Sequence, residues 1–116
     1  MEGMNGFATV YWGWGGEDDD ISDRVFNAGY EIVRPQKYVA RYKMIQHNRD
    51  SGNAPNKCRY KILTNAKDRW RHDGLSSLRY KLVNTTESLL FTKFLVDPLR
   101  EESEKLMKKL NVITDC

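Results

Sequence analysis

The sequence predicts a mixed α/β unit, and three observations carry that reading. Short segments rich in β-branched and aromatic residues alternate with stretches of helical periodicity, and Gly and Pro fall between them. No apolar run approaches the roughly 18 residues of a membrane-spanning helix. At 116 residues the chain is at most one ordinary domain, expected to bury somewhat under about 70% of the surface its unfolded form exposes. A hydrophobic fraction of 40% beside 30% charge excludes a disordered or membrane-embedded class.

"FATVYW" (7–12) reads as a short strand that Gly13, Gly15 and Gly16 interrupt. The acidic run Glu17–Asp20 then opens a helix over 17–28, with Ile21, Val25 and Ala28 on one face and Gly29 as its stop. "YEIVRP" (30–35) and "KYVARYKMI" (37–45) have strand composition, with Pro35 between them. Residues 47–57, "HNRDSGNAPNK", are almost wholly polar and read as a surface loop long enough to act as a lid. Residues 59–70 have helical character, "HDG" (72–74) marks a turn, and 78–84 and 89–97 alternate as strands. After Pro98, residues 99–112 form an amphipathic helix with Leu99, Leu106, Met107 and Leu110 on one side.

Charge is unevenly laid out. The net +3 combines the acidic block with Lys and Arg concentrated over 34–81, which suits an anionic ligand or a metal at one place. The two cysteines, Cys58 and Cys116, have no metal-type spacing and form no disulfide framework, so they leave the redox compartment open. Asn84-Thr85-Thr86 has the N-glycosylation acceptor pattern. The N-terminus has no signal-peptide core, so any targeting segment is expected outside this chain.

The stretch "YWGWGGEDDD" (11–20) concentrates the chemistry. Its carboxylates can simply be a solvated helix start, stabilised by the macrodipole by about 0.3–1 kcal/mol each. That reading leaves the two Trp and the Gly pair unexplained. Aromatic faces beside carboxylates suit a sugar, whose hydroxyls donate to the carboxylates, one of which can act as general base. Asp18-Asp19-Asp20 formally contains the Asp-x-Asp pattern of metal–nucleotide sites. Neighbours on a helix lie about 100° apart, however, so three adjacent carboxylates cannot converge on one ion. In "MIQH", Met44 and His47 are either surface residues or, by ligand softness, a pair better suited to copper than to a hard ion. Lys and Arg interleaved with aromatics, as in "RWRHDGLSSLRYK", read as a solvated face or as a nucleic-acid surface.

With these residues assembled, the chain resembles the C-terminal part of the catalytic domain of the β-1,4-galactosyltransferase family. The resemblance starts at "NGF" (5–7), passes through "YWGWGGEDDD", "RPQKYVARYKMIQHNRD", "APNKCRY" and "DGLSSLRYKLV", and ends at "FLVD", Asp97. It implies a partial glycosyltransferase-A-type fold, the C-terminal half with a mixed sheet. Residues 1–98 would be the acceptor and lid portion and 99–116 a helical tail without counterpart. The implied activity is inverting, Mn²⁺-dependent transfer of galactose from UDP-galactose to the 4-hydroxyl of a terminal N-acetylglucosamine, at the lumenal side of the Golgi membrane. The membrane anchor would lie upstream, and no nucleic-acid partner is implied.

By motif position, Asp18 would be the catalytic base with Glu17 beside it. Gly15, Gly16, Asp18 and Asp19 would hold the acceptor, with Arg59, Tyr60 and Leu63 around its N-acetyl group. Trp14 and His47 would contact the donor side, and Met44 and His47 would be manganese ligands. The family's Asp-x-Asp metal motif and most of its nucleotide-binding strands would lie upstream, which predicts a chain inactive by itself. Tyr60 in place of a common Phe, Ile62 in place of a frequent Arg, and the unusual "ATV" (8–10) bear on acceptor preference. A non-catalytic sugar-binding module, or a relative transferring N-acetylgalactosamine, are the alternatives.

Overall fold

The computed structural model describes residues 2–113. After a 3-10 turn at Glu2–Met4 come α1 (Glu17–Asn27), α2 (Arg59–Thr64) and α3 (Ala66–Arg69). A second 3-10 turn at Leu75–Ser77 precedes β1 (Lys81–Glu87), β2 (Thr92–Asp97) and α4 (Arg100–Lys109). The α/β class expected from the sequence is present.

α1 begins and ends for local reasons. Its four acidic residues fill the first turn and Arg24 lies in the last, both favourable to the helix dipole. At the far end Gly29 takes φ 80. Its N–H donates to the Phe26 carbonyl, and the Tyr30 N–H donates to the Val25 carbonyl, 3.0 Å in each case. That paired closure needs a residue tolerant of the left-handed region, which is why glycine stops the helix there. The buried side of α1 differs from the expected apolar face. Ile21, Val25 and Ala28 are half-buried, while the fully buried residues are Asp20 and Arg24, one helical turn apart.

The expected helix over 59–70 is two short helices meeting at Asn65, whose side-chain amide donates to the Lys61 carbonyl at 2.9 Å. Ile62 and Ala66 from this pair, with Met107 from α4, are the fully buried hydrophobic residues among those described. Cys58 takes part in a disulfide, contrary to the expectation that the two cysteines form no disulfide framework. Cys116 lies outside the described residues, as does the end of the tail after residue 113.

β1 and β2 pair antiparallel, from Lys81 opposite Asp97 to Glu87 opposite Thr92, with an irregularity between Leu82 and Asn84. The Ser88 N–H donates to the Phe91 carbonyl at 2.9 Å and closes the connection. Both strands were expected, though β1 starts three residues later than its alternating pattern indicates. The mixed sheet is not formed among the described residues. Segments 7–12, 30–35 and 37–45 have strand composition but no ladder, and Trp14 and Pro55 make only an isolated parallel bridge. A strand exists by pairing, and β propensity describes fit to a neighbour rather than a preference of the lone segment. Here Val33, Tyr42, Met44 and Ile45 are mostly exposed.

Burial is therefore sparse. The accessible surface is 9889 Å², against about 6,600 Å² from the size scaling of folded monomers. Both strands are exposed along their whole length. What order surrounds α1 to α3 rests heavily on polar contacts.

Candidate functional site

The head of α1 forms one side of a cavity of about 250 Å³. Trp14, Gly15 and Gly16 line it together with the carboxylates of Glu17, Asp18 and Asp19. From α2 come Arg59, Tyr60 and Leu63. Nine of the residues singled out from sequence thus meet around one space, although 40 positions separate Asp19 from Arg59. The three carboxylates are exposed, as an acceptor of solvent-borne hydroxyls requires.

Gly16 is held here by geometry. It precedes α1 at φ 100, and a Cβ at this position would lie 2.7 Å from Cε1 of Tyr11. Any side chain would both strain the backbone and drive the carboxylate-bearing turn off Tyr11. Its carbonyl accepts from the Asp20 N–H at 3.0 Å, so the turn that carries Glu17, Asp18 and Asp19 starts directly from it.

The expected lid is tied to this head. The Trp14 N–H donates to the Ala54 carbonyl at 2.9 Å, and the Asn56 N–H donates to the Trp14 carbonyl at 3.0 Å. Arg49 and Arg59 lie 5.4 and 6.0 Å from the centroid of the Trp14 ring, and Arg59 lies 4.4 Å from that of Tyr60. These are cation–π distances. Arg59 also donates through Nη1 to the Asn56 carbonyl at 3.1 Å. A larger cavity of about 440 Å³ lies by residues 52–58, Trp12 and α4. Trp12 donates through Nε1 to Ser103 Oγ at 3.1 Å, which docks the tail helix there.

Beneath the carboxylates is a network that the sequence reading did not find. Asp20 and Arg24 of α1 pair one turn apart, as do Arg69 and Asp73. The two pairs cross-link, with Arg69 Nη2 to Asp20 Oδ2 at 2.8 Å and Arg24 Nη2 to Asp73 Oδ2 at 3.1 Å. Asp20 and Arg24 are fully buried and Asp73 nearly so. The remaining lone pairs of Asp73 take the Thr9 N–H and hydroxyl at 2.9 and 2.8 Å. Tyr11 donates its hydroxyl to Asp20 Oδ2 at 3.0 Å. Burial first, and the Asp20 charge second, push the Tyr11 phenol well above its ordinary value, so it stays a donor. The signal available in the sequence was the i,i+4 spacing of opposite charges in "DISDR" and "RWRHD". That spacing reads equally as a solvated helix face.

Comparison with known proteins identifies the relationship. A family model described as the N-terminal domain of galactosyltransferase matches residues 1–48. Beta-1,4-galactosyltransferase 2 of Cricetulus griseus is 46% identical over 94 residues, 81% of this chain and 26% of that protein. Beta-1,4-galactosyltransferase 3 of Bos taurus is 46% identical over 94 residues, with 24% of its length covered. The human beta-1,4-galactosyltransferase 2 is 45% identical over the same share of this chain. The chain belongs to the β-1,4-galactosyltransferase family. It spans about a quarter of the length of the curated relatives it matches. The matched model is described by an N-terminal domain, whereas the motif resemblance pointed to the C-terminal part of the catalytic domain.

In this family member Met44 and His47 stand apart from the cleft. Both are exposed, and His47 Nδ1 lies 3.1 Å from the carbonyl oxygen of Asn48. No group of three or more His, Cys, Asp or Glu among the described residues is placed to hold a metal ion. A thioether and an imidazole also leave a hard ion short of the oxygen ligands it prefers. The described residues therefore do not build a manganese site by themselves. No helix among the described residues is long and apolar enough to cross a membrane.

Proposed function

We propose that this chain carries the acceptor side of a β-1,4-galactosyltransferase, acting on UDP-galactose and a terminal N-acetylglucosamine. The observation that carries the reading is the single cavity in which Asp18 and its neighbours meet Arg59, Tyr60 and Leu63. An amino sugar needs such a combination: carboxylates to accept from ring hydroxyls, and an aromatic and apolar corner for the acetamido methyl. Asp18 is the proposed base, taking the proton of the attacking 4-hydroxyl, and Glu17 supports it. Asp19 and the backbone at Gly15 and Gly16 position the acceptor. Trp14 and the 47–57 loop close over the donor and keep water from the reacting sugar.

Met44 and His47 are proposed as a partial ligand set for Mn²⁺, whose chemistry would be to neutralise the diphosphate leaving group. The relatives' length leaves room for the other ligands in parts of the fold that this chain does not include. A glycosyltransferase-A-type fold and a Golgi lumenal setting belong to the same proposal.

The test is titration of N-acetylglucosamine against tryptophan fluorescence. A saturable response that weakens in Asp19→Ala and Tyr60→Ala is expected. No response with or without Mn²⁺ and UDP would count against the acceptor site. The chain alone is expected to transfer no galactose, and turnover of UDP-galactose by the purified 116-residue protein would reject that part. In a full-length relative, the substitution equivalent to Asp18→Asn should abolish turnover and leave donor binding intact.

A further inference from the structure

We propose that Arg69 is a positioning residue that sets the width of the acceptor cavity, an inference that rests on the acceptor-site reading. The cavity has two sides that belong to different helices, α1 with the carboxylates and α2 with Arg59, Tyr60 and Leu63. Neither helix is long, and α2 has six residues, so neither is rigid alone. One guanidinium nitrogen joins them. Arg69 Nη2 donates to Asp20 Oδ2 on α1 at 2.8 Å and to the Ile62 carbonyl on α2 at 3.1 Å. The other terminal nitrogen, Nη1, is engaged by Asp73, which fixes the plane of the fork.

The geometry is transmitted over short, stiff distances. Asp20 lies one residue beyond Asp19 and two beyond Asp18 on the same helix, and Ile62 is flanked by Leu63 and followed from Tyr60 by half a turn. The Tyr11 ring supports the same guanidinium at 5.8 Å from its centroid, and its hydroxyl holds Asp20 Oδ2. A planar fork can serve two acceptors at fixed angles, whereas a lysine ammonium at the end of a flexible stem offers a point charge. Arg69→Lys therefore keeps the positive charge in the network and loses the span. Arg69 does not line the cavity, so its effect on a ligand acts through the two helices alone.

The experiment compares the whole chain with Arg69→Lys by amide hydrogen exchange and by the N-acetylglucosamine titration. Exchange should quicken together at α1 and α2, including the Asp20 and Ile62 amides, while the β1–β2 pair is unchanged. Quickening confined to α3 would overturn the bridge. In the titration Arg69→Lys should weaken the sugar about tenfold or more with the protein still folded, since small misplacements of a site are costly. An unchanged dissociation constant in the folded variant would reduce Arg69 to a structural role and sink the proposal. If Arg69→Lys does not fold, Asp20→Asn takes its place, because it keeps the shape and the Tyr11 contact while removing the charge. If the unsubstituted chain shows no sugar response, the acceptor reading fails, and the exchange data alone decide whether the bridge couples the two helices.

Discussion

In the α1–α3 region the fully buried side chains include Asp20 and Arg24, whereas in the β1–β2 ribbon Leu89 is wholly exposed and Leu90 is 90% exposed. The usual distribution of polar and apolar residues is inverted between the two. The reason lies in partners. Each buried charge around α1 meets an opposite charge and hydrogen-bonding groups from residues far along the chain, so its desolvation is compensated. Leu82, Phe94, Leu95 and Val96 of the ribbon each have a strand neighbour for the backbone, while their side chains stay exposed. Backbone pairing alone gives a two-stranded ribbon only marginal stability. The cavity side is held by ionic geometry, and the ribbon by ladder hydrogen bonds.

The sharpest break of this contrast is Arg24→Met. The Arg24 side chain is fully buried and donates to Asp20, Asp73 and the Gly6 and Asp73 carbonyls. Its removal leaves two carboxylates deprived of one of their cations, and breaking such a buried pair costs about 3–5 kcal/mol. Chemical denaturation of Arg24→Met should show a loss of that size, or a chain unfolded at 25 °C. A loss below about 1 kcal/mol would mean that the network carries little of the fold.

The network also explains what the sequence concealed. Helix α1, its glycine stop, the tail helix and the two paired strands follow from periodicity and turn chemistry within each segment. Trp14 to Asp19 stand out locally within "WGWGGEDDD", whereas Arg59, Tyr60 and Leu63 follow only from the family resemblance. The network of Asp20, Arg24, Arg69 and Asp73 follows from neither, since nothing within a charged i,i+4 pair says whether its helix face meets water or another pair. The strands expected at 7–12, 30–35 and 37–45 failed for the converse reason. Composition marks a segment able to pair, but pairing is a property of two segments. The proposed manganese ligands Met44 and His47 have the same difficulty, being donors whose completing partners must come from elsewhere.

A milder test of the charged region uses pH. Tyr11 donates to Asp20, and burial with that carboxylate raises its phenol above the ordinary value near 10. Below about pH 10 the phenol is neutral in both folded and unfolded chains, so its contribution is fully present. As pH rises further the unfolded chain loses this proton while the folded one keeps it. The unfolded state then binds fewer protons, and stability falls by up to about 1.4 kcal/mol per pH unit until the folded phenol also ionises. Tyr11→Phe should remove that component. Between pH 10 and 11.5 its stability should fall less steeply than that of the unsubstituted chain, by denaturant midpoint. Parallel pH profiles would show that Tyr11 is not held neutral by the network.

The smallest effect is expected in the ribbon. Leu90 sits in the connection between β1 and β2, and its side chain touches water over nearly all its surface. Leu90→Ser removes little buried area, so stability should move by no more than about 0.5 kcal/mol, ten times less than the upper figure for Arg24→Met. The measurement has value because the two outcomes mean different things. A change within that range keeps the contrast, with charge burial stabilising one region and nothing comparable covering the other. A loss above about 1 kcal/mol would mean that Leu90 is covered in solution. Such covering by a second copy would make the denaturation midpoint rise with protein concentration, and Leu90→Ser should abolish that dependence. A concentration-independent midpoint with an unchanged value in Leu90→Ser leaves the ribbon as the weakly held half of the molecule, the half from which local opening should begin in hydrogen exchange.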